Sequence, residues 1–169
     1  MNTRCMAETA RRASIPLMAL TGDEKNRGLE AVAAGLEANA EAIFRANRED
    51  LERSAAENLA APLLKRLKFD RKKLDGVIDG IRRLVALPDP VGRTLAATEL
   101  DAGLDLYRVS CPIGVVGVIF ESRPDALVQI SSLCLKSGNA VLLKGGSEAL
   151  QTNRVLADTI TAATHKAGL

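Results

Sequence analysis

Aromatic residues are nearly absent from this sequence: three Phe, one Tyr and no Trp in 169 residues. Its core must be built from Leu, Ile, Val and Ala. It also has no aromatic platform on which unpaired bases could stack, which argues against single-strand nucleic-acid binding. An excess of either charge is missing too. Lys and Arg number 23 against 21 Asp and Glu, a formal net charge of +2, so no long-range field draws the chain to nucleic acid or to an anionic membrane. The basic clusters Lys65-Arg66-Leu67-Lys68 and Arg71-Lys72-Lys73 have acidic neighbours and read as solvated helix faces. A single histidine, His165, excludes a His cluster for a metal, and its place in a last helical turn suits the dipole there. Cys5, Cys111 and Cys134 are an odd, widely spaced set without a C-x-x-C pair. That usage fits a reduced, cytoplasmic protein with no disulfide and no thiolate metal site. No uninterrupted apolar run reaches the roughly 18 residues that span a bilayer, and Met1-Asn2-Thr3-Arg4 leads into a polar helical stretch, not an apolar signal core.

What is present divides in two. Hydrophobic residues make up 47% of the chain, a globular composition of ordinary single-domain size. Residues 1–93 read as a helical segment. Thr21-Gly22-Asp23-Glu24 has the form of a capping box. Leu29, Val32, Leu36, Ile43, Phe44 and Leu51 follow it at helical spacing. A short helix is expected near Pro62 to Lys68, and another through Leu74, Val77, Ile78, Ile81, Leu84 and Val85. It ends at Leu87-Pro88-Asp89-Pro90, because prolines cannot continue the helical ladder. Residues 94–110 read as a β-hairpin arm, two strands around the turn signal Asp101-Ala102-Gly103. Residues 111–169 alternate differently. The β-branched run Gly114 to Phe120 and the run Ala140 to Leu143 read as buried parallel strands. Pro124 to Lys136 and Ser147 to Ala167 read as the helices that follow them. Leu127, Ile130, Leu133 and Cys134 are expected on one apolar face of the first, which Ser137-Gly138-Asn139 stops.

Strand, helix, strand, helix at these lengths is a βαβα unit of an α/β fold, and such sheets bind ligands beyond the carboxyl ends of their strands. Two polar segments fall there: Glu121-Ser122-Arg123 and Lys144-Gly145-Gly146-Ser147-Glu148. The second reads two ways. Its glycines could let the backbone approach a dinucleotide while the next helix offers free N–H groups, or it is a plain strand-to-helix turn carrying a surface lysine. In the first, Ser122 suits an N-cap and Asp125 the capping-box position. Arg123 has no such structural explanation, since a cation opposes the helix dipole. It points either to solvent or to a bound anion. Cys134 and Cys111 read as inert structure, and Glu121 as weak evidence for a general base.

The run Ser110 to Ala126, S-C-P-I-G-V-V-G-V-I-F-E-S-R-P-D-A, resembles the aldehyde dehydrogenase superfamily. Within it, Phe120-Glu-Ser-Arg-Pro124 and the run from Ser131 to Gly146 resemble the γ-glutamyl phosphate reductase family. The resemblance implies an aldehyde-dehydrogenase-like, Rossmann-type cofactor domain, truncated, with a helical N-terminal segment and a hairpin arm. It implies reduction of γ-glutamyl phosphate to glutamate 5-semialdehyde with NADPH as hydride donor and phosphate released, a step of proline biosynthesis. It also implies a catalytic cysteine downstream of these segments, so that no catalytic residue is expected in this chain and the chain alone is expected to be inactive. Lys144, Gly145, Gly146, Ser147 and Glu148 are the expected cofactor contacts, and Arg123 and Ser122 the expected contacts to substrate phosphate. Position 147 is Ser where NAD-using relatives often carry Glu, and Glu148 is expected to point away from it, one residue being about 100° of helix rotation. No metal is expected. Glutamate 5-kinase is a conceivable partner, the arm is the expected route to a homo-oligomer, and a two-stranded sheet with an open edge is expected to self-associate. The alternatives are another aldehyde or acyl-phosphate dehydrogenase, or a non-catalytic nucleotide-binding or oligomerisation module.

Overall fold

A computed structural model describes residues 2–169. Five helices come first: α1 (Thr3–Met18), α2 (Gly22–Ala38), α3 (Ala40–Ala56), α4 (Ala61–Leu67) and α5 (Arg71–Ala86). The capping box starts α2 as expected. Glu24 N–H donates to Thr21 Oγ1 at 3.3 Å, while Thr21 N–H donates to Glu24 Oε2 at 2.8 Å. The periodic stretch from Leu29 to Leu51 is not one helix. It breaks at Asn39, which leaves helical geometry (φ −99, ψ 12), and its side-chain amide donates back to Gly35 O at 3.2 Å. The break lets α2 and α3 both pack on the last helix, α7 (Leu150–Lys166). Leu29, Leu36, Ile43, Leu74, Val128 and Leu156 are completely buried at this junction.

The arm follows. Strands β1 (Thr94–Asp101) and β2 (Leu104–Val109) pair antiparallel, with Gly103 at φ +77 closing the turn. Every residue of both strands is exposed. Then β3 (Val115–Ile119), α6 (Pro124–Lys136) and β4 (Ala140–Lys144) form the parallel unit, in register from Val115↔Ala140 to Ile119↔Lys144. Two expectations need correction here. The strands are only half covered, and Ile119 is 79% exposed, because this sheet has two strands and its flanks are open. The buried face of α6 carries Leu127, Val128, Ser132 and Cys134, while Leu133 is 57% exposed. The helix is rotated so that Val128 meets the helical core. Gly138 (φ +71) ends α6 in the left-handed geometry that glycine permits, and Asn139 Oδ1 then accepts from Gly114 N–H at 2.8 Å.

The segment Leu87 to Pro90 does more than stop α5. Lys25 is completely buried, and its Nζ donates to Asp89 Oδ1 at 2.8 Å and Oδ2 at 2.7 Å. Lys136 from α6 donates to Asn26 Oδ1 at 2.8 Å and Leu87 O at 2.7 Å. The connector is thereby fastened to α2 and α6. Burial pushes the Asp89 carboxyl up, but the bonds from Lys25 and from Val91 N–H outweigh it and hold the group below its ordinary value. Burial pulls Lys136 below its ordinary value, against the opposing pull of Asp89.

Candidate cofactor crevice

The two polar segments meet where β3 and β4 end. Phe120 N–H donates to Lys144 O at 3.1 Å, carrying the pairing one residue past β3, after which the chains diverge. Ser122 then adopts φ +41, a left-handed conformation uncommon outside glycine. The helix N-cap is Arg123, without a side-chain cap bond. Ser122 is therefore not the cap that its sequence position implied. It is buried, and both its N–H (2.6 Å) and its hydroxyl (2.8 Å) donate to Glu148 Oε1. Two bonds to an opposing carboxylate outcompete a local cap and explain the left-handed backbone.

Glu148 is the second correction. Ser147–Ala149 form a 3₁₀ turn ahead of α7, not the first turn of an α-helix, so the 100° rotation argument does not apply. The side chain folds back over Gly146 and reaches across the crevice. Burial pushes the Glu148 carboxyl up; its own N–H, the two Ser122 donors and Lys144 together pull it below its ordinary value, so it is ionised at neutral pH. The glycines acquire a different reason as well. A Cβ on Gly146 would collide with the Glu148 carboxylate, and one on Gly145 would collide with the Asn153 amide and press on Phe120. The close approach they permit in this structure is to the protein's own side chains.

The expected free amides of the last helix are also taken. Asp50 from α3, completely buried, accepts from Gln151 N–H (3.3 Å), Thr152 N–H (2.7 Å) and the Thr152 hydroxyl (2.7 Å). Arg53 Nη2 donates to Asp50 Oδ1 (2.7 Å), Ser147 O (3.0 Å) and Glu148 O (3.1 Å). Asn47, one turn earlier on α3, donates to Thr152 Oγ1 at 3.2 Å and Leu67 O at 2.9 Å and accepts from Phe69 N–H at 2.7 Å. None of these α3 residues was singled out from the sequence. Their signal was polar side chains at helical spacing (47, 50, 54) along the face that buries Ile43.

Lys144 and Ser147 are exposed at the end of β4, and Glu121 and Arg123 are exposed across the crevice. Arg123 is turned onto Asp125 Oδ2 at 3.0 Å, with Lys73 3.5 Å from the other oxygen, so Asp125 serves ion pairing and not a capping box. The donor set, two exposed cations and an exposed hydroxyl around a strand-end crevice, suits a polyanionic dinucleotide. Among the described residues no group of three His, Cys, Asp or Glu is arranged to hold a metal. Cys111 precedes β3 and Cys134 lies in the last turns of α6, both at the opposite ends of their elements from the crevice. Burial also pushes the Cys134 thiol up, away from the thiolate form.

No protein-family model matches the chain. Curated relatives do. It is 64% identical over 169 residues to a γ-glutamyl phosphate reductase of Pelotomaculum thermopropionicum, covering all of this chain and 39% of that protein. It is 50% identical over 163 residues to the protein of that name from Methanosarcina mazei, covering 94% of this chain and 36% of that protein. Crystal structures of γ-glutamyl phosphate reductase from Saccharomyces cerevisiae (TM-score 0.93, 40% identity, 98% of this chain and 42% of that one) and from Thermotoga maritima (0.91, 36%, 95% and 39%) superpose on it. Along its whole length the chain is similar to proteins named γ-glutamyl phosphate reductase. It spans about two fifths of the length of the curated relatives it matches. A probable aldehyde dehydrogenase of Listeria monocytogenes shares the fold at TM-score 0.71 and 17% identity, covering 98% of this chain and 34% of that one. No helix among the described residues is long and apolar enough to cross a membrane.

Proposed function

We propose that the protein containing this sequence reduces γ-glutamyl phosphate to glutamate 5-semialdehyde with NADPH, releasing phosphate, in the cytoplasm and in the service of proline biosynthesis. The observation that carries the reading is identity of 64% along the whole chain with a relative of that name, crevice segments included. When bound, NADPH supplies the hydride. Lys144 and Ser147 contact its adenosine end, with Gly145, Gly146 and Glu148 shaping the loop beneath. Glu148 bears on the choice of cofactor. Its charge is engaged by two Ser122 donors, which leaves Lys144 as the exposed charge of the loop and favours a 2′-phosphate over a bare ribose.

Arg123 is the phosphate contact for the substrate. Its guanidinium is half exposed at the mouth of the crevice, and Lys73, 3.5 Å from the buried Asp125 carboxylate, stays beside that group when Arg123 turns to an incoming acyl phosphate. Ser122, proposed with it, holds the loop in place through its two bonds to Glu148. The reading places the thiolate nucleophile outside these 169 residues, since no cysteine lies at the crevice. The arm, exposed on both faces, is the proposed route to a homo-oligomer; glutamate 5-kinase is a further proposed partner.

The test is phosphate-dependent reduction of NADP⁺ by glutamate 5-semialdehyde. An enzyme carrying this sequence within a chain of its relatives' length is expected to turn over, and the 169-residue chain alone is not. Absence of turnover in the longer enzyme, or turnover by the short chain that is lost in Cys134→Ala, would overturn the reading.

A further inference from the structure

We infer that Arg53, with Asp50, is a positioning residue for the cofactor loop: helix α3 sets the conformation of Lys144 to Glu148 from outside. The inference rests on the cofactor role proposed above for that loop.

The loop has little to hold it in shape on its own. Gly145 and Gly146 have wide conformational freedom, and the turn after them is a single 3₁₀ turn of three residues, whose bonds are few and of poor geometry. What constrains it arrives from 94 and 95 residues away. Arg53 Nη2 donates to the carbonyls of both Ser147 and Glu148, and Ser54 Oγ lies 3.5 Å from the second. These carbonyls face Arg53 on α3. Glu148 then reaches Ser122 and ties the β3 loop to the β4 loop.

Asp50 makes this arrangement stable. Its carboxylate is completely buried and divided between two tasks: one oxygen takes the Arg53 guanidinium and Gln151 N–H, the other takes Thr152 N–H and the Thr152 hydroxyl. The start of α7 and the arginine that holds the preceding turn are thus fixed by a single group. A point charge cannot replace the arginine fully. Nη2 reaches Asp50 Oδ1 and the two carbonyls at 2.7, 3.0 and 3.1 Å from the end of a longer side chain with a rigid planar head, and the shorter, freely rotating ammonium of lysine matches neither the reach nor the fixed direction.

The experiment uses the full-length enzyme containing this sequence, with wild type, Arg53→Met and Arg53→Lys compared. Arg53 is partly exposed, at 36% of its side chain, but its partner Asp50 is buried, so every variant, Asp50→Ala included, is first shown to melt cooperatively, and Arg53→Lys keeps a cation beside Asp50. Hydrogen exchange of the peptide covering 144–150 is expected to speed up in Arg53→Met while the arm at 94–110 is unchanged. NADPH affinity by fluorescence titration is expected to weaken about tenfold, with KM for NADPH following and kcat held within about twofold, the pattern of lost cofactor placement without loss of chemistry. Arg53→Lys recovers part of the affinity. Unchanged exchange at 144–150, or NADPH affinity within about twofold of wild type in a folded Arg53→Met, overturns the inference. Wild-type enzyme that binds no NADPH overturns the proposed function instead, and this inference with it.

Discussion

The helical body and the strands use the same apolar residues to opposite ends. Leu29, Leu36, Ile43 and Leu74 are completely buried among α2, α3, α5, α6 and α7, whereas Leu95, Leu100, Leu104 and Leu106 in the arm are each more than half exposed. The body also joins buried polar groups across long stretches of sequence. Lys25 meets Asp89, Asp50 meets the start of α7, and Asn47 joins α3 to Leu67, Phe69 and Thr152. The arm has backbone pairing and almost nothing else, with Tyr107 reaching only Asp105, 3.4 Å away. A two-stranded hairpin in water is marginal by itself, and an apolar surface of this kind marks a place of association. The body carries the stability; the arm carries surface for something else.

Removing a leucine side chain from each region separates the two most sharply. Leu36→Ala is expected to cost about 3 kcal/mol, the usual range for a leucine deleted from a packed core. Leu106→Ala, at dilutions where the chain does not associate, is expected to stay within about 0.5 kcal/mol of wild type. Urea denaturation of both variants measures the contrast. Equal losses would mean that the arm is part of the cooperative unit.

The reverse contrast concerns association. Leu104→Lys combined with Leu106→Lys puts two charges on the exposed strand and leaves the core alone. Self-association, read by light scattering against concentration, is expected to weaken about tenfold or more, since like charges meeting across a self-complementary face are repelled. The melting transition of the dilute chain is expected not to move. If association persists, the arm is not the contact.

Much of this was readable in advance, for reasons of range. The capping box at Thr21 and Glu24, the Asp101-Ala102-Gly103 turn, the proline stop after α5 and the parallel pair β3 and β4 are each specified by residues close together in sequence. So was the location of the crevice, which follows from where parallel strands end. The misses share the opposite property. Asp50 and Arg53 act on residues roughly a hundred positions away, and no local pattern announces a partner at that distance. Glu148 was misplaced because a 3₁₀ turn and an α-helical turn look alike in sequence while rotating side chains differently. Leu133 was assigned to the core by periodicity alone; the face that α6 buries is decided by Val128, and only the packed helices choose between the two.

The crevice lies at the strand ends away from the arm, and its cofactor preference is the next test, of smaller size. In the full-length enzyme, Lys144→Ala is expected to lower kcat/KM for NADPH about tenfold and leave that for NADH nearly unchanged, the value of one lost charge-assisted contact. Ser147→Glu is expected to move the preference in the same direction by repelling the 2′-phosphate. If neither change narrows the preference, the adenosine end lies elsewhere.

The smallest effect sharpens the comparison from within the body, where local capping adds to packing. Thr21→Ala removes the hydroxyl that accepts from Glu24 N–H and donates to Glu24 Oε2 at 2.8 Å. At neutral pH the expected cost is about 1 kcal/mol, typical of an N-cap. The pH dependence identifies the mechanism. Thr21 N–H and then its hydroxyl hold the Glu24 carboxyl below its ordinary value. A carboxyl depressed in the folded state adds stability that is fully present above its unfolded value, about 4.3, and is lost as pH falls through the lower folded value. Wild type therefore loses more on acidification than Thr21→Ala, in which one of the two donors is already gone. The difference between them is expected to shrink from pH 6 to pH 3. A difference that is constant across that range would show that the threonine side chain acts only through the Glu24 N–H, and that its hydroxyl contributes nothing to holding the Glu24 carboxylate.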